Sequence, residues 1–174
     1  AGLKVVVPST PYDTKGLLIS AIRDPDPVVF LEPKKIYRSF REEVPDEDYE
    51  VPLGEASIRR EGNDVSVFTW GAMTRPTLEA AENLEGEIDV EVVDLRTLDP
   101  MDEETIVESF EKTGRAAVVH EAPQTGGLAG EIAATLQEHS LLYQEAPGER
   151  ITGFDTPVPL DALEDFYLPE GERI

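Results

Sequence analysis

The chain has 174 residues, and 40% of them are hydrophobic, which is enough for one compact core or for one domain plus part of another. Its 37 acidic residues outnumber its 15 basic residues, so the formal net charge is −22. Because the acids are spread along the whole chain, no basic face is predicted to bind a nucleic-acid backbone or an anionic membrane.

The charge balance also indicates the solvent. A surface rich in Asp and Glu and poor in Lys suits a cytoplasm of very high salt, where self-repulsion is screened within a few ångströms. A halophilic source is therefore the working hypothesis, with an ordinary acidic domain as the alternative. The absence of cysteine excludes disulfides, and His120 and His139 are the only histidines, so a zinc site of His and Cys is not expected. No apolar run approaches 18 residues and no signal peptide opens the sequence, which predicts a cytoplasmic protein.

The first forty residues predict one β-α-β unit. Residues 3–7 have the pattern of a buried strand, and Thr10 and Pro11 then provide an N-cap and a proline at the first helical position. The prolines within residues 24–27 end the helix, and residues 28–31 form a second apolar strand. Such a unit is too small to be stable alone, so we expect it to be the end of something larger.

A second unit follows a connector at residues 39–52, which is polar, charged and interrupted by proline. From residue 53 onward, strands and helices alternate in the order β-α-β-α-β-α-β, which predicts a three-layer α/β/α domain with a mainly parallel sheet. The predicted strands are residues 65–71, 88–95, 116–119 and 149–153, and the helices are residues 75–84, one capped at Asp99, and one after Gly127.

The most suggestive stretch for function is His-Glu-Ala-Pro-Gln-Thr-Gly-Gly at residues 120–127, where a strand is predicted to end, a loop to follow and a helix to begin. Helix N-termini at such an edge bind anions, but no GxGxxG or GxxxxGK[ST] pattern is present. The stretch therefore favours a subunit-contact loop, formed by His120, Glu121, Pro123, Gly126 and Gly127. His120 has two interpretations, a general acid or base and a hydrogen-bonded histidine at a strand end. No residue is assigned a catalytic or cofactor-binding role.

A series of segments, in order, resembles the beta subunit of the thiamine-diphosphate-dependent decarboxylase component of 2-oxoacid dehydrogenase complexes, of the pyruvate or branched-chain type. The resemblance covers essentially all 174 residues. It is carried by residues 8–18 (PSTPYDTKGLL), 29–38 (VFLEPKKIYR), 51–54 (VPLG), 70–71 (WG), 93–102 (VDLRTLDPMD), 112–115 (KTGR), 120–127 (HEAPQTGG) and 153–159 (GFDTPVP).

The resemblance implies a domain organisation and a role. Residues 1–38 would end a pyrimidine-binding domain, residues 39–52 would be a linker, and residues 53–174 would form a transketolase C-terminal-like domain. The intact α2β2 enzyme would oxidatively decarboxylate a 2-oxoacid and transfer the acyl group to a lipoyl domain. This part would serve assembly with an alpha subunit, a second beta subunit and the lipoyl acyltransferase core. A stand-alone interaction or regulatory module is the alternative, as is a fragment of a transketolase or deoxyxylulose-phosphate synthase relative.

The resemblance also implies cofactors. The intact enzyme would hold thiamine diphosphate with magnesium, but the family's activating glutamate and active-site histidine come from earlier in the beta chain. This part alone is therefore expected to bind no cofactor and to be inactive. The family's potassium site would draw on backbone oxygens of Ala21, Asp24 and Asp26, with further ligands from earlier sequence.

Overall fold

The computed structural model describes residues 2–169 and 171–174 as two sheets with helices packed against them. Its strands are β1 (Lys4–Val6), β2 (Val28–Phe30), β3 (Ser57–Arg60), β4 (Val65–Thr69), β5 (Val90–Asp94), β6 (Thr97–Asp99), β7 (Ala116–Pro123) and β8 (Glu149–Gly153). Its α-helices are α1 (Pro11–Arg23), α2 (Thr74–Asn83), α3 (Glu103–Thr113), α4 (Ala129–Ser140) and α5 (Glu164–Tyr167). Within this described part, no helix is both long enough and apolar enough to cross a bilayer.

The small sheet has the order β2-β1-β6 and contains the predicted β-α-β unit. β1 and β2 are parallel, and α1 connects them. The Thr10 Oγ1 accepts a hydrogen bond from the Asp13 N–H at 3.1 Å, so Thr10 caps α1 as the sequence predicts. The third strand, β6, comes from the second half of the chain and pairs antiparallel with β1. The sequence analysis missed β6, and this strand joins the two halves of the chain.

The large sheet has the order β3-β5-β4-β7-β8 and provides the three-layer architecture that the sequence predicts. β4, β5, β7 and β8 are parallel, and only the edge strand β3 is antiparallel. Side chains alternate along β4. Phe68 packs in the core under α3 and α4, whereas Val67 packs with Ala81 of α2 on the opposite face. The sheet therefore buries both faces, as a parallel sheet requires.

Two local predictions were wrong. Asp99 does not cap a helix, because it lies in β6. The N-cap of α3 is Asp102, whose carboxylate accepts a hydrogen bond from the Thr105 N–H at 3.0 Å. The strand predicted at residues 116–119 extends to Pro123, with a register shift against β8 between His120 and Pro123. The stretch that begins at His120 is thus partly strand, because its backbone continues the ladder with β8.

The connector packs against α1. The Tyr49 ring stacks on the Tyr12 ring with a centroid separation of 4.5 Å, and Val51 is buried beside Leu17. The Lys15 ammonium donates to the backbone carbonyls of residues 45–47. These contacts hold residues 45–51 along the helix, so the connector is an ordered part of the fold.

Candidate functional site

The carboxyl edge of the large sheet meets the small sheet, and the polar residues of interest gather there. Trp70 follows β4, Asp94 ends β5, and His120 lies near the end of β7. Ligands of open α/β sheets bind at this edge, because strand ends and helix N-termini meet there. In this chain the small sheet and α1 contact this edge, because the Val7 N–H donates to the Arg96 carbonyl at 2.8 Å and Asp13 of α1 shares Arg59 with Asp94.

His120 is buried under this edge, with an exposed fraction of 1%. Its ring stacks on the Trp70 indole at a centroid distance of 5.3 Å. Neither ring nitrogen forms a hydrogen bond of normal geometry within the described residues. The interpretation as a hydrogen-bonded histidine at a strand end therefore stays a prediction, with the Ala122 backbone as the partner nearest to that role. A cavity of about 250 Å³ borders the pair and is lined from both halves of the chain, with Val7 and Leu98 among its walls.

The chemistry available to His120 follows from its burial. Burial lowers the pKa of His120 below its usual value, while the Ala122 backbone acts in the opposite direction and the Arg150 charge lowers the pKa further. The ring is accordingly neutral at pH 7. A neutral ring stacked on an indole, with no substrate-sized opening at its nitrogens, is suited to packing. The geometry gives no support to the interpretation as a general acid or base.

The loop after β7 is held by groups that the sequence analysis did not single out. The Asp155 carboxylate accepts the Thr125 N–H at 2.9 Å and the Thr125 hydroxyl at 2.6 Å. The Thr125 hydroxyl is the main cause that lowers the pKa of Asp155. Glu121 and Gly126 are exposed along the loop, whereas Pro123 and Gly127 are half-buried. The loop thus exposes much of its backbone, and it packs against the buried His120 ring.

A second cluster joins the two halves of the chain through buried charges. Asp13 of α1 and Asp94 of β5 are 1% and 0% exposed, and the Arg59 guanidinium lies between them. Arg59 Nη2 is 2.9 Å from Asp94 Oδ2 and also pairs with Asp13. Arg96 Nη1 donates to Asp13 Oδ1 at 3.2 Å, and the Ser9 hydroxyl donates to Asp94. Every charged member therefore has a partner of opposite charge.

The electrostatics of this cluster balance desolvation against pairing. Burial raises the pKa of Asp94, and Arg59 and the Ser9 hydroxyl oppose that rise. Burial acts to lower the pKa of Arg59, but the charges of Asp94 and Asp13 outweigh it and raise that pKa. Arg96 also adopts a φ of 56°, a conformation that non-glycine residues rarely take. Both acids of the cluster are buried and paired with arginines, so its chemistry is that of a buried ionic cluster.

The predicted potassium residues lie at the end of α1, far along the helix from the ionic cluster. The Lys4 ammonium is 2.7 Å from both carboxylate oxygens of Asp24 and 3.3 Å from Asp26 Oδ2. The hydrogen bond from Lys4 is the main cause that lowers the pKa of Asp24. These two carboxylates therefore already have a cation. The backbone oxygens of Ala21, Asp24 and Asp26 are the groups left for potassium, and that site stays a prediction.

The sequence-predicted residues thus fall into two separate places. His120, Glu121, Pro123, Gly126 and Gly127 lie together around the end of β7, whereas the potassium residues lie between the last turn of α1 and the start of β2. Over the described ranges, no group of three or more His, Cys, Asp or Glu side chains is arranged to hold a metal ion. The Asp13–Arg59–Asp94 cluster was missed because its members are separated by 46 and 35 positions in sequence.

Two models of known protein families match this chain, one in each of its two parts. The model of the transketolase C-terminal domain matches residues 54–174, which is most of the chain. The chain belongs to the transketolase C-terminal domain family. A model of the transketolase pyrimidine-binding domain matches residues 1–39 of this transketolase-family chain. The predicted family and fold class are confirmed, and both domains are those of thiamine-diphosphate enzymes, as the resemblance implied.

Curated relatives of this transketolase-family chain come from two types of dehydrogenase. It is 54% identical over 171 residues to the 2-oxoisovalerate dehydrogenase subunit beta, mitochondrial, of Dictyostelium discoideum, covering 97% of this chain and 46% of that protein. It is 54% identical over 174 residues to the pyruvate dehydrogenase E1 component subunit beta of Bacillus subtilis (strain 168), covering 99% of this chain and 54% of that protein. The chain therefore spans about half the length of the curated relatives it matches.

A solved structure is similar as well. A split gene transketolase, described as an inactive beta4 tetramer, superposes with a TM-score of 0.76 at 30% identity. The match covers 95% of this chain and 52% of that one. The shared fold thus extends across both sheets of the transketolase-family chain.

Proposed function

We propose that this chain is the C-terminal portion of a 2-oxoacid dehydrogenase beta subunit. The carrying observation is the 54% identity, over 97% and 99% of the chain, to beta subunits of both the branched-chain and the pyruvate enzyme. The intact α2β2 enzyme would oxidatively decarboxylate pyruvate or a branched-chain 2-oxoacid and transfer the acyl group to a lipoyl domain. The identity to the two types is equal, so the substrate side chain is left to experiment.

The part played by these residues is assembly. The exposed backbone around Glu121 and Gly126 supplies the subunit-contact surface, and buried His120 supports it from below. The partners are an alpha subunit, a second beta subunit and the lipoyl acyltransferase core, in a cytoplasmic complex. In this proposal, residues 1–38 are the last part of the pyrimidine-binding domain and residues 53–174 form the C-terminal domain. Residues 39–52 are the linker between the two domains.

The cofactor of the intact enzyme would be thiamine diphosphate with magnesium. Through the described residues, no acidic or histidine cluster suits a magnesium ion, and the unpaired nitrogens of His120 are enclosed by the protein. These residues do not fit the cofactor, so no step of the reaction is assigned to them. Potassium at the backbone oxygens of Ala21, Asp24 and Asp26 stays part of the proposal.

The test is reconstitution. A longer beta chain that includes this segment is co-expressed with the alpha chain, and decarboxylation of pyruvate and of 3-methyl-2-oxobutanoate is assayed with thiamine diphosphate, magnesium and an oxidised lipoyl domain as the acyl acceptor. We expect turnover of at least one 2-oxoacid by the assembled enzyme and none by the 174-residue chain alone. An assembled complex that turns over neither substrate, or turnover by the isolated chain, contradicts the proposal.

A second candidate rests on the solved structure. The 30% identity to a split gene transketolase keeps a transketolase relative as an alternative. Two-carbon transfer between sugar phosphates by the same reconstituted enzyme, without 2-oxoacid decarboxylation, would favour it. A stand-alone interaction module is the remaining alternative, and a free-standing reading frame for this segment in the genome would favour that.

A further inference from the structure

A cavity lies between the first turns of α1 and the residues that follow β2. It measures about 550 Å³, and its walls come from residues 8–18 and 32–40. The volume falls in the range of small-molecule pockets. Most of the wall is apolar, with Pro11, Leu18, Ile36 and Phe40 among its members. A ligand of this cavity therefore gains most of its affinity by burying apolar groups.

The hydroxyl groups at the α1 end of the wall already have partners within the protein. The Ser9 hydroxyl donates to the Asp94 carboxylate, and the Thr14 hydroxyl donates to the Thr10 carbonyl at 2.7 Å. The Thr10 hydroxyl oxygen caps α1 by accepting the Asp13 N–H. These groups are not free to bind the many polar atoms of a sugar phosphate or a nucleotide, and buried polar groups without partners are costly. The wall thus favours a ligand that is apolar along most of its length.

Two cations border the same cavity. The Arg38 side chain is exposed and makes no ion pair or hydrogen bond with the described part of the chain. The Lys15 ammonium donates to the backbone carbonyls of residues 45–47, which leave its charge in place because they are neutral. The one acid of the wall, Glu32, accepts a hydrogen bond from the Tyr37 hydroxyl. Two cations and one acid leave the wall with a charge of +1.

We propose that this cavity binds an aliphatic monocarboxylate, with its hydrocarbon chain against Leu18, Ile36 and Phe40 and its carboxylate on the Arg38 guanidinium. Arginine holds a carboxylate through two parallel hydrogen bonds, and burial of the methylene groups stabilises the complex. The net charge of −22 repels an anion from most of the surface, so this positive wall stands out. The proposal concerns neither the 2-oxoacid nor a subunit, and it does not depend on the proposed function.

The cavity also adjoins the buried ionic cluster. Ser9 lines the cavity and donates to Asp94, and Thr10 lines it and caps the helix that carries Asp13. A bound carboxylate thus contacts residues that hold the two halves of the chain together. Because a ligand that binds only the folded state stabilises that state, we expect the melting temperature to rise with its concentration.

Calorimetric titration with octanoate tests the site. The 174-residue chain is used at a salt concentration where melting shows it folded, and the assembled enzyme is titrated in parallel. From butanoate to octanoate, we expect the dissociation constant to fall about fourfold for each added methylene group. Octanamide, a neutral compound of nearly the same shape, is expected to bind about fivefold more weakly than octanoate, because it lacks the charge that Arg38 recognises.

Two pairs of variants separate the head-group contact from the apolar contact. We expect Arg38→Gln to weaken octanoate binding about fivefold and to leave octanamide binding unchanged. Arg41→Gln is its matched control, because Arg41 is exposed in the same segment but lies outside the cavity wall. Leu18→Trp fills the apolar part and is expected to weaken both compounds about tenfold or more. Its control is Ile22→Trp, since Ile22 is 75% exposed on the same helix and also lies outside the wall.

Four results overturn the proposal. The first is the absence of octanoate binding by the folded chain or by the assembled enzyme. The second is equal affinity for octanoate and octanamide, and the third is equal weakening by Arg38→Gln and Arg41→Gln. The fourth is tighter binding of N-acetyl-leucyl-leucine than of octanoate, which assigns the cavity to the C-terminus of a peptide. The titration measures binding and not turnover, so this test and the reconstitution can fail independently.

Discussion

The guanidinium of Arg173 lies 4.3 Å from the centre of the Phe154 ring. The same group donates to the carbonyls of Tyr167 and Leu168, at 2.9 Å each, and to the Thr152 carbonyl at 2.8 Å. One side chain thus links the last turn of α5 to the end of β8. These three carbonyl acceptors are buried or partly buried. Among the described side chains, only Arg173 donates to them, and these hydrogen bonds compensate for their desolvation.

We expect Arg173→Ala to loosen the C-terminal tail. Three carbonyls lose a charged donor, and the cost is about 1.5–3 kcal/mol of unfolding free energy. Hydrogen exchange at residues 164–168 and chemical denaturation measure it, with Arg115→Ala as the control, because Arg115 makes an exposed pair with Glu145. Equal losses in the two variants would show that Arg173 does not hold the tail.

Gly127 tests the support of the subunit-contact loop. A Cβ at this position would lie 2.6 Å from Cε1 and 2.9 Å from Nε2 of the buried His120 ring. We expect Gly127→Ala to cost about 1–3 kcal/mol, because a packed site must shift to accept the methyl group. Gly130→Ala is the matched control, since nothing lies within 4 Å of its added Cβ. Thermal melting that ranks Gly130→Ala as the less stable variant would contradict this packing.

His120 predicts a pH dependence of stability. The unfolded chain binds a proton near pH 6.5, whereas the folded chain binds it only at lower pH, because burial lowers the pKa of His120. Stability is therefore fully present above about pH 6.5 and falls as the pH drops below it toward the folded pKa. Urea denaturation between pH 8 and pH 5 measures the slope. His120→Gln reduces that slope, and His139→Gln, at an exposed position, leaves it unchanged. Identical slopes in all three chains would rule out His120 as the source.

The buried ionic cluster predicts a large effect of one arginine. Arg59→Met leaves the Asp13 and Asp94 carboxylates buried with Arg96 alone nearby, and we expect a loss of about 3–5 kcal/mol. Arg23→Met is the control, because its partners Asp48 and Glu50 are exposed and such pairs contribute about 0–1 kcal/mol. Chemical denaturation measures the loss of unfolding free energy in both variants. If Arg59→Met loses no more than the control, the cluster does not stabilise the fold.

The net charge of −22 predicts that salt stabilises the fold. The melting temperature is expected to rise steadily in KCl toward molar concentrations, because screening weakens repulsion among carboxylates. Replacing the exposed acids Glu82, Glu85 and Glu87 with Gln flattens that rise. A melting temperature that is independent of KCl would remove the halophilic interpretation.

Local signals explain what could be predicted from the sequence. The cap at Thr10 depends on residues within one helical turn, and the alternation of apolar strands and amphipathic helices gives the three layers. The cap predicted at Asp99 was wrong because this residue lies in a strand that pairs with β1, more than 90 positions earlier. Short-range sequence patterns do not indicate such a pairing. Separations of 46 and 35 positions likewise concealed the partners of Arg59.

The antiparallel pairing of β6 with β1 has a practical consequence for the connector. Backbone hydrogen bonds across this pair, such as Val7 N–H to the Arg96 carbonyl at 2.8 Å, join the two halves without passing through residues 39–52. Arg59 and Arg96 add ion pairs to Asp13 across the same boundary. A protease nick within the connector therefore leaves two polypeptides that migrate as one particle until they are denatured. Conversely, a domain excised at residue 53 loses the strand that pairs with β6 and the Asp13 carboxylate, which is a partner of both arginines.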